Sequence, residues 1–161
     1  LRLDDGEMLV DSAAILDHLD EVAGPEHALV PANGKARRRV LALLAIALGS
    51  NEKLVTALYE RHFRPKELWH QPWIEACEGQ VRDGYLWLEE QFTRPWFTGQ
   101  AMSQADLTVA VFWSFGMAKR PGIFAKLACP KLRVLSERLE ATPAFKAAPP
   151  ETEMLSNQLG N

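Results

Sequence analysis

The sequence predicts a mainly α-helical domain that follows a short β-hairpin and one separate helix. Three observations support this fold class: helical periodicity over most of the chain after residue 34, a Pro- and Gly-rich segment before it, and an alternating pattern at the start. The chain has 161 residues, of which 47% are hydrophobic and 24% are charged. This composition fits one globular domain with a small additional segment and excludes disordered and fibrous classes.

The first ten residues predict a hairpin. Leu1–Leu3 alternates between apolar and polar residues, Asp4–Gly6 is typical of a turn, and Glu7–Val10 can return as the second strand. A two-stranded hairpin is marginally stable in water, so it should pack on other structure. Because the chain begins at Leu1 in the middle of the alternation, we expect it to be a piece of a longer protein.

A helix is predicted to begin at Asp11-Ser12 and to end at Gly24-Pro25, because Gly suits a helix C-cap and Pro does not continue a helix. Its apolar residues fall on one face. They are Ile15, Leu16, Leu19 and Val22 or Ala23.

Residues 24–34, with two prolines and two glycines, predict a linker. Residues 35–148 then predict an all-helical domain, and residues 149–161 a polar tail. The helices predicted in that domain are Lys35 to about Arg64 with a kink or break at Gly49-Ser50-Asn51, Pro72–Phe92, Ser103 to about Ala118, Pro130–Ala141 and a last turn at Thr142–Phe145. The third of these has almost no polar face, which predicts burial among other helices.

Met102 to Leu107 has the pattern of a capping box with a hydrophobic staple. The Ser103 side chain can accept from the N–H of Asp106, and the Asp106 carboxylate can accept from the N–H of Ser103. Met102 and Leu107 occupy the staple positions. We therefore expect Ser103 and Asp106 to have a structural role at the start of a buried helix.

Asp11 and Ser12 permit two interpretations. One is ordinary N-capping of the helix that starts there. In the other, the Ser12 hydroxyl and the unpaired N–H groups of the first turn bind a carboxylate or phosphate, and Asp11 accepts from an ammonium group. The second arrangement would suit the zwitterionic head of an amino acid.

Charge and composition narrow the classes of partner. The net charge of −3 disfavours non-specific binding to nucleic acid, and the longest apolar run is too short for the ~20 residues of a membrane helix. Two distant cysteines and four scattered histidines predict neither a disulfide framework nor a metal site. A basic cluster at residues 35–39 is interpreted as a solvated face or, alternatively, as a surface that attracts an anionic ligand or contacts a subunit.

Two strings in the sequence resemble the glutathione transferase family. DDGEMLVDSAAILDHLDE is similar to the last hairpin and third helix of that family's thioredoxin-like first domain, and FTGQAMSQADLTVA is similar to the capping box that begins the central helix of the second domain. The resemblance covers about residues 1–148. It implies a C-terminal-like helical bundle preceded by a truncated thioredoxin-like remnant over residues 1–23.

The resemblance also implies a function. Asp11 and Ser12 match the pair that binds the γ-glutamyl end of glutathione, which is a substrate here and not a resident cofactor, and no metal is implied. Tyr59, His62, Phe63 and Phe115 are candidates for the hydrophobic pocket. The family's catalytic Tyr, Ser or Cys and its cis-proline match no position in this chain, so we expect these residues alone to be inactive.

The predicted function of the parent protein is therefore conjugation of glutathione to a small hydrophobic electrophile, in a cytoplasmic homodimer without nucleic-acid or membrane partners. A non-catalytic interaction module with the same fold is the alternative. Related glutathione chemistry, such as isomerisation, dehalogenation or peroxide reduction, also stays open.

Overall fold

The computed structural model describes residues 1–149, and within them the chain is mainly helical. The helices are α1 (Ser12–Ala23), α2 (Gly34–Phe63), α3 (Gln71–Gln91), α4 (Gln104–Lys119), α5 (Pro121–Phe124), α6 (Pro130–Glu140) and α7 (Pro143–Ala147), with a 3₁₀ turn at Lys66–Leu68. The longer helices are confirmed to within two residues at each end. The 3₁₀ turn and α5 were not predicted, and the predicted tail lies outside the described residues from residue 150 onward.

The predicted hairpin forms with one antiparallel bridge, between Arg2 and Met8. The N–H of Leu9 donates to the carbonyl of Leu1 at 2.8 Å, which closes the pair. Gly6 in the turn has φ 96°, a conformation that glycine adopts at no steric cost. The turn is confirmed, and within the hairpin the strand pairing is limited to this one bridge.

Helix α1 begins and ends where its capping residues predict. The Asp11 side chain accepts from the N–H of Ala13 at 2.9 Å. At the other end Gly24, with φ 79°, donates its N–H to the carbonyl of Asp20 at 3.1 Å. No residue of α1 is buried, so its predicted apolar face is largely unpartnered in the described part of the chain.

The core lies between α2, α3, α4 and α6. Its largest fully buried side chain is Tyr85, whose ring packs edge-on against Trp113 at 5.7 Å and Phe124 at 4.9 Å between centroids. Along α3 and its C-cap, apolar residues recur at steps of three and four, and every member of this stripe is buried. Those residues are Ile74, Cys77, Val81, Tyr85, Leu88 and Phe92.

Helix α2 runs unbroken through Gly49-Ser50-Asn51, so the predicted break is wrong. The middle residue of the three, Ser50, packs against α3. A Cβ atom added to Gly84 would lie 2.0 Å from the Oγ of Ser50, which is buried. The helices approach closely at this point because both residues are small.

Helix α2 is also long and apolar enough, by length and composition alone, to cross a membrane. In the structure it instead packs along α3 and α4 and buries Val40, Leu43 and Leu54 in the core. Core helices of globular domains commonly satisfy the same length and hydropathy criterion. Its packing identifies α2 as a core helix of this domain.

A buried carboxylate caps α6 from another helix. Glu89 on α3, 7% exposed, accepts from the N–H groups of Lys131 at 3.1 Å and Leu132 at 3.0 Å. Cys129, at the N-cap position of α6, makes no side-chain capping bond. Glu89 therefore satisfies two donors of the first turn of α6 and fixes α6 against α3.

Candidate functional site

The start of α4 is fixed by the predicted capping box. Both halves of the box are present, and the Asp106 carboxylate accepts from the N–H of Ser103 at 2.8 Å and from its hydroxyl at 2.7 Å. It also accepts from the N–H of Phe97 at 2.9 Å. Burial raises the pKa of Asp106, and these hydrogen bonds act in the opposite direction. The box thus holds both α4 and the loop before it.

Asp11 and Ser12 lie exposed at the first turn of α1. Asp11 has φ 74°, which is rare for a residue other than glycine and carries backbone strain. Its Oδ1 accepts from the N–H of Ala13, and the Ser12 hydroxyl lies 3.4 Å from the same oxygen. The N–H groups of Ser12 and Ala14 have no acceptor within residues 1–149. Such a helix start suits a negatively charged ligand group.

This first turn borders a cavity of about 350 Å³ between α1, α2 and α4. That volume falls in the range of small-molecule sites in proteins. Most of its lining is apolar. The lining comprises Asp11, Ser12, Ala13, Leu16, Asp17, Val30, Arg37, Leu41, Leu44, Leu48, Gln104, Leu107, Thr108, Val111 and Phe112.

The cavity explains why one apolar residue of α4 is exposed although the whole helix was predicted to be buried. Its apolar residues were predicted to be buried on all sides, yet Val111 is 48% exposed while Val109 and Trp113 are buried. Val111 faces the cavity, as do Leu107 and the partly buried Phe112. One side of α4 therefore faces this open space and not a neighbouring helix.

Arg37 supplies a positive charge to the cavity wall. One guanidinium nitrogen donates to the carbonyl of Pro31 at 3.3 Å, and another lies 3.7 Å from the carboxylate of Asp17. The Asp17 side chain is 75% exposed, so solvent screens this pair. Within the predicted basic cluster, Arg39 donates instead to the side chain and carbonyl of Gln91. The two arginines therefore have different structural surroundings.

The four predicted pocket residues do not line this cavity. Tyr59 and Phe63 are 54% and 70% exposed near the end of α2, with ring centroids 5.2 Å apart, and His62 lies 4.7 Å from Phe63. Phe115 is partly buried against the main core. The structure brings three of the four together at the end of α2. They are not among the residues that line the cavity beside Asp11 and Ser12. Their role in ligand binding stays a prediction.

Candidate nucleophiles elsewhere in the chain are buried. Burial raises the pKa of the Cys77 thiol and raises that of Cys129 to about 12. Burial also raises the pKa of Tyr85, whose hydroxyl has no partner within residues 1–149. The residues that line the cavity include no tyrosine and no cysteine. The cavity is therefore mostly apolar and borders the first turn of α1, and Cys77, Cys129 and Tyr85 are not among the residues that line it.

The described residues include no group of three or more His, Cys, Asp or Glu side chains that could hold a metal ion.

Most residues of the cavity wall were not predicted as site residues from the sequence. On α2 the wall follows Arg37, Leu41, Leu44 and Leu48, which recur at steps of four, three and four along one helix face. On α4 it follows the same spacing from Gln104 onward. The pattern was visible, but apolar residues at this spacing indicate a core face as readily as a ligand cavity.

Comparison with known proteins found no matching protein-family model and no matching curated protein. Solved structures do match. A glutathione S-transferase from Methylobacillus flagellatus KT with glutathione bound has a TM-score of 0.83 and 26% identity, and the match covers 92% of this chain and 73% of that one. A glutathione transferase family member from Pseudomonas fluorescens Pf-5 with S-(propanoic acid)-glutathione has a TM-score of 0.80 and 29% identity, covering 93% and 76%.

A third match is a glutathione S-transferase from Methylobacterium radiotolerans in complex with glutathione sulfonate. It has a TM-score of 0.82 and 23% identity, and the match covers 92% of this chain and 70% of that one. At this identity the likeness shows the fold alone. The fold is that of the all-helical C-terminal domain of glutathione transferases. The resemblance to the glutathione S-transferase family, drawn from the Asp11–Ser12 pair and the Ser103–Asp106 box, is confirmed.

Proposed function

We propose that the protein is a glutathione transferase that conjugates glutathione to hydrophobic electrophiles. One observation carries the proposal: the strained, exposed first turn of α1 borders an apolar cavity between α1, α2 and α4. An anion site beside an apolar cavity fits a charged peptide head next to a hydrophobic co-substrate. Similar structures that contain glutathione or its derivatives support this assignment.

In this proposal Asp11 and Ser12 bind the γ-glutamyl head. The Ser12 hydroxyl and the open N–H groups of the first turn donate to the carboxylate. Asp11 uses Oδ1 in the helix cap, which leaves its other oxygen to accept from the ammonium group. The two residues thus recognise both charges of the zwitterion.

The hydrophobic electrophile would lie along α2 and α4. Tyr59 and His62 are 11 and 14 residues beyond Leu48, close to three and four helical turns, so they continue the wall on the same face at about 16–21 Å. Phe115 lies one turn beyond Val111 on α4. These residues and Phe63 would contact only an elongated substrate.

We place the group that activates the glutathione thiol outside these 161 residues. A thiol with a pKa near 8.5 needs a donor at the sulfur, and each unit of pKa depression corresponds to about 1.4 kcal/mol. Cys77, Cys129 and Tyr85 are buried, and Tyr59 is not in the cavity wall. The serine that lines the cavity, Ser12, is assigned to the γ-glutamyl head in this proposal. The proposal therefore includes that this chain alone does not catalyse conjugation.

A non-catalytic interaction module is the second candidate. The exposed Leu19 and Val22 on α1 favour it, because they offer an apolar surface to another polypeptide. Measurable conjugation by the intact protein would decide between the two. A homodimer, a cytoplasmic location and a detoxification role complete the first proposal.

The Ser12→Ala variant tests the site. In the intact protein, calorimetric titration should show glutathione binding weakened by about tenfold or more, because a charged carboxylate loses a hydrogen-bond donor. Ser12→Thr keeps the hydroxyl and should restore most of the affinity. Unchanged binding in Ser12→Ala would refute the site, and no glutathione binding by the intact wild type would refute the function.

A further inference from the structure

Helix α1 is held to the rest of the chain without burial of any of its residues. Its apolar residues Leu19 and Val22 are 49% and 70% exposed. Apolar packing therefore contributes little to holding α1 in position, and polar contacts must hold much of it. These contacts matter because the first turn of α1 carries Asp11 and Ser12.

The strongest such contact is made by Asp20, in the last turns of α1. Its Oδ1 accepts from the N–H of Leu29 at 2.7 Å, and its Oδ2 accepts from the N–H of Val30 at 2.8 Å. Hydrogen bonds to a carboxylate are stronger than those between neutral groups, and these two are short. One carboxylate thus fixes two consecutive residues of the 24–34 segment to α1.

The same two residues reach the helical core. The carbonyl of Leu29 accepts from the N–H of Gln104, the first residue of α4, at 3.0 Å. The Val30 side chain packs against the main core and lines the cavity. A continuous path therefore runs from Asp20 through Leu29 and Val30 to the start of α4, next to the Ser103–Asp106 box.

We propose that Asp20 is a positioning residue for the glutathione site, an inference that rests on the proposed function. The carboxylate holds α1 at a fixed distance from α4. The head-group residues Asp11 and Ser12 lie on one side of that gap, and Leu107 and Val111 lie on the other. Asp20 makes no contact with the cavity itself, so it acts through the placement of the first turn of α1.

Asp20→Asn tests this role, because the amide nitrogen that replaces one oxygen donates and does not accept. If about one tenth of the molecules keep α1 in the binding position, the KM of the intact protein for glutathione rises about tenfold while its kcat changes little. Glu21→Gln is the matched control, since it removes the same charge from the next residue of α1, whose side chain makes no hydrogen bond to residues 29 and 30. It should leave KM unchanged.

A merely structural role for Asp20 predicts a different result. Loss of folded protein lowers the apparent kcat in proportion and leaves KM unchanged, and that outcome in Asp20→Asn would overturn the proposal. An unchanged KM with unchanged kcat would overturn it as well. Asp20→Glu, which keeps two acceptor oxygens, should recover part of the lost affinity.

Amide hydrogen exchange on the intact protein gives a test that does not depend on glutathione. In Asp20→Asn we expect faster exchange at Leu29, at Val30 and along α1, with α3 and α6 as protected as in the wild type. Unchanged exchange along α1 would overturn the positioning role even if the protein binds no glutathione. Absence of glutathione binding in the wild type would instead count against the proposed function alone.

Discussion

Removal of the Asp106 carboxylate should be among the most destabilising single substitutions in the helical domain. The residue is fully buried, and its two oxygens accept from the N–H of Phe97, the N–H of Ser103 and the hydroxyl of Ser103. Asp106→Ala leaves these three donors inside the protein without an acceptor. A buried unsatisfied donor costs about 1–3 kcal/mol.

Asp106→Ala should lower the free energy of unfolding by about 3–5 kcal/mol. The two N–H groups are fixed by the backbone, whereas the hydroxyl can rotate toward another acceptor. Ser103→Ala is the matched control. It removes the bond from the hydroxyl to the carboxylate and the one that the hydroxyl accepts from the N–H of Asp106, but keeps the N–H groups of Phe97 and Ser103 satisfied, so it should cost about 0.5–2 kcal/mol. The difference between the two variants isolates the backbone donors.

The assay is urea unfolding of the intact protein, followed by far-ultraviolet circular dichroism and by tryptophan fluorescence. The two signals should change together if unfolding of the helical domain is cooperative. If Asp106→Ala proves no less stable than Ser103→Ala, the carboxylate does not hold the loop before α4. The argument from buried unsatisfied donors would then be refuted for this site.

Two further predictions concern the core. Gly116→Ala should destabilise the protein by about 1–3 kcal/mol, because the added Cβ would lie 2.1 Å from the buried ring of Phe124. In the control variant Gly79→Ala the added Cβ meets no atom within 4 Å, and the change should stabilise α3 by about 0.5–1 kcal/mol. Equal thermal midpoints for the two variants would contradict this prediction. Cys129, with its pKa raised to about 12, should resist a disulfide reagent at pH 8, where only about one thiol in 10⁴ is ionised, until urea exposes it. Rapid labelling of the native protein would argue against the burial of this thiol. Because its pKa is raised in the folded state, the contribution of the thiol to the free energy of unfolding is fully present below about pH 9 and is lost as pH rises through about 12.

Much of the fold could be predicted because helix limits depend on nearby residues. The cap at Asp11, the C-cap at Gly24 and the box at Ser103 and Asp106 each act within a few residues along the chain. The break predicted at Gly49-Ser50-Asn51 failed for the opposite reason. Ser50 meets Gly84 across a helix interface, which no local pattern reveals.

The candidate site was predicted only in part. Asp11 and Ser12 form a recognisable pair at a helix start, so sequence alone singled them out. The cavity beside them is assembled from three helices and the 24–34 segment, and its apolar residues look like ordinary core positions until those helices are placed. Asp20 gave no signal, because its partners lie nine and ten residues away.

The sequence by itself determined where the longer helices begin and end, which of their faces are apolar, and that Asp11 and Ser12 stand at a helix start. Only the tertiary structure decided which apolar face lines a cavity, that Glu89 caps α6 from 42 residues away, and that Asp20 fixes α1 to the helical core. The physical reason is the range of the interactions. Capping and periodicity depend on neighbours within about one turn, whereas cavities and cross-helix hydrogen bonds depend on the packing of distant segments.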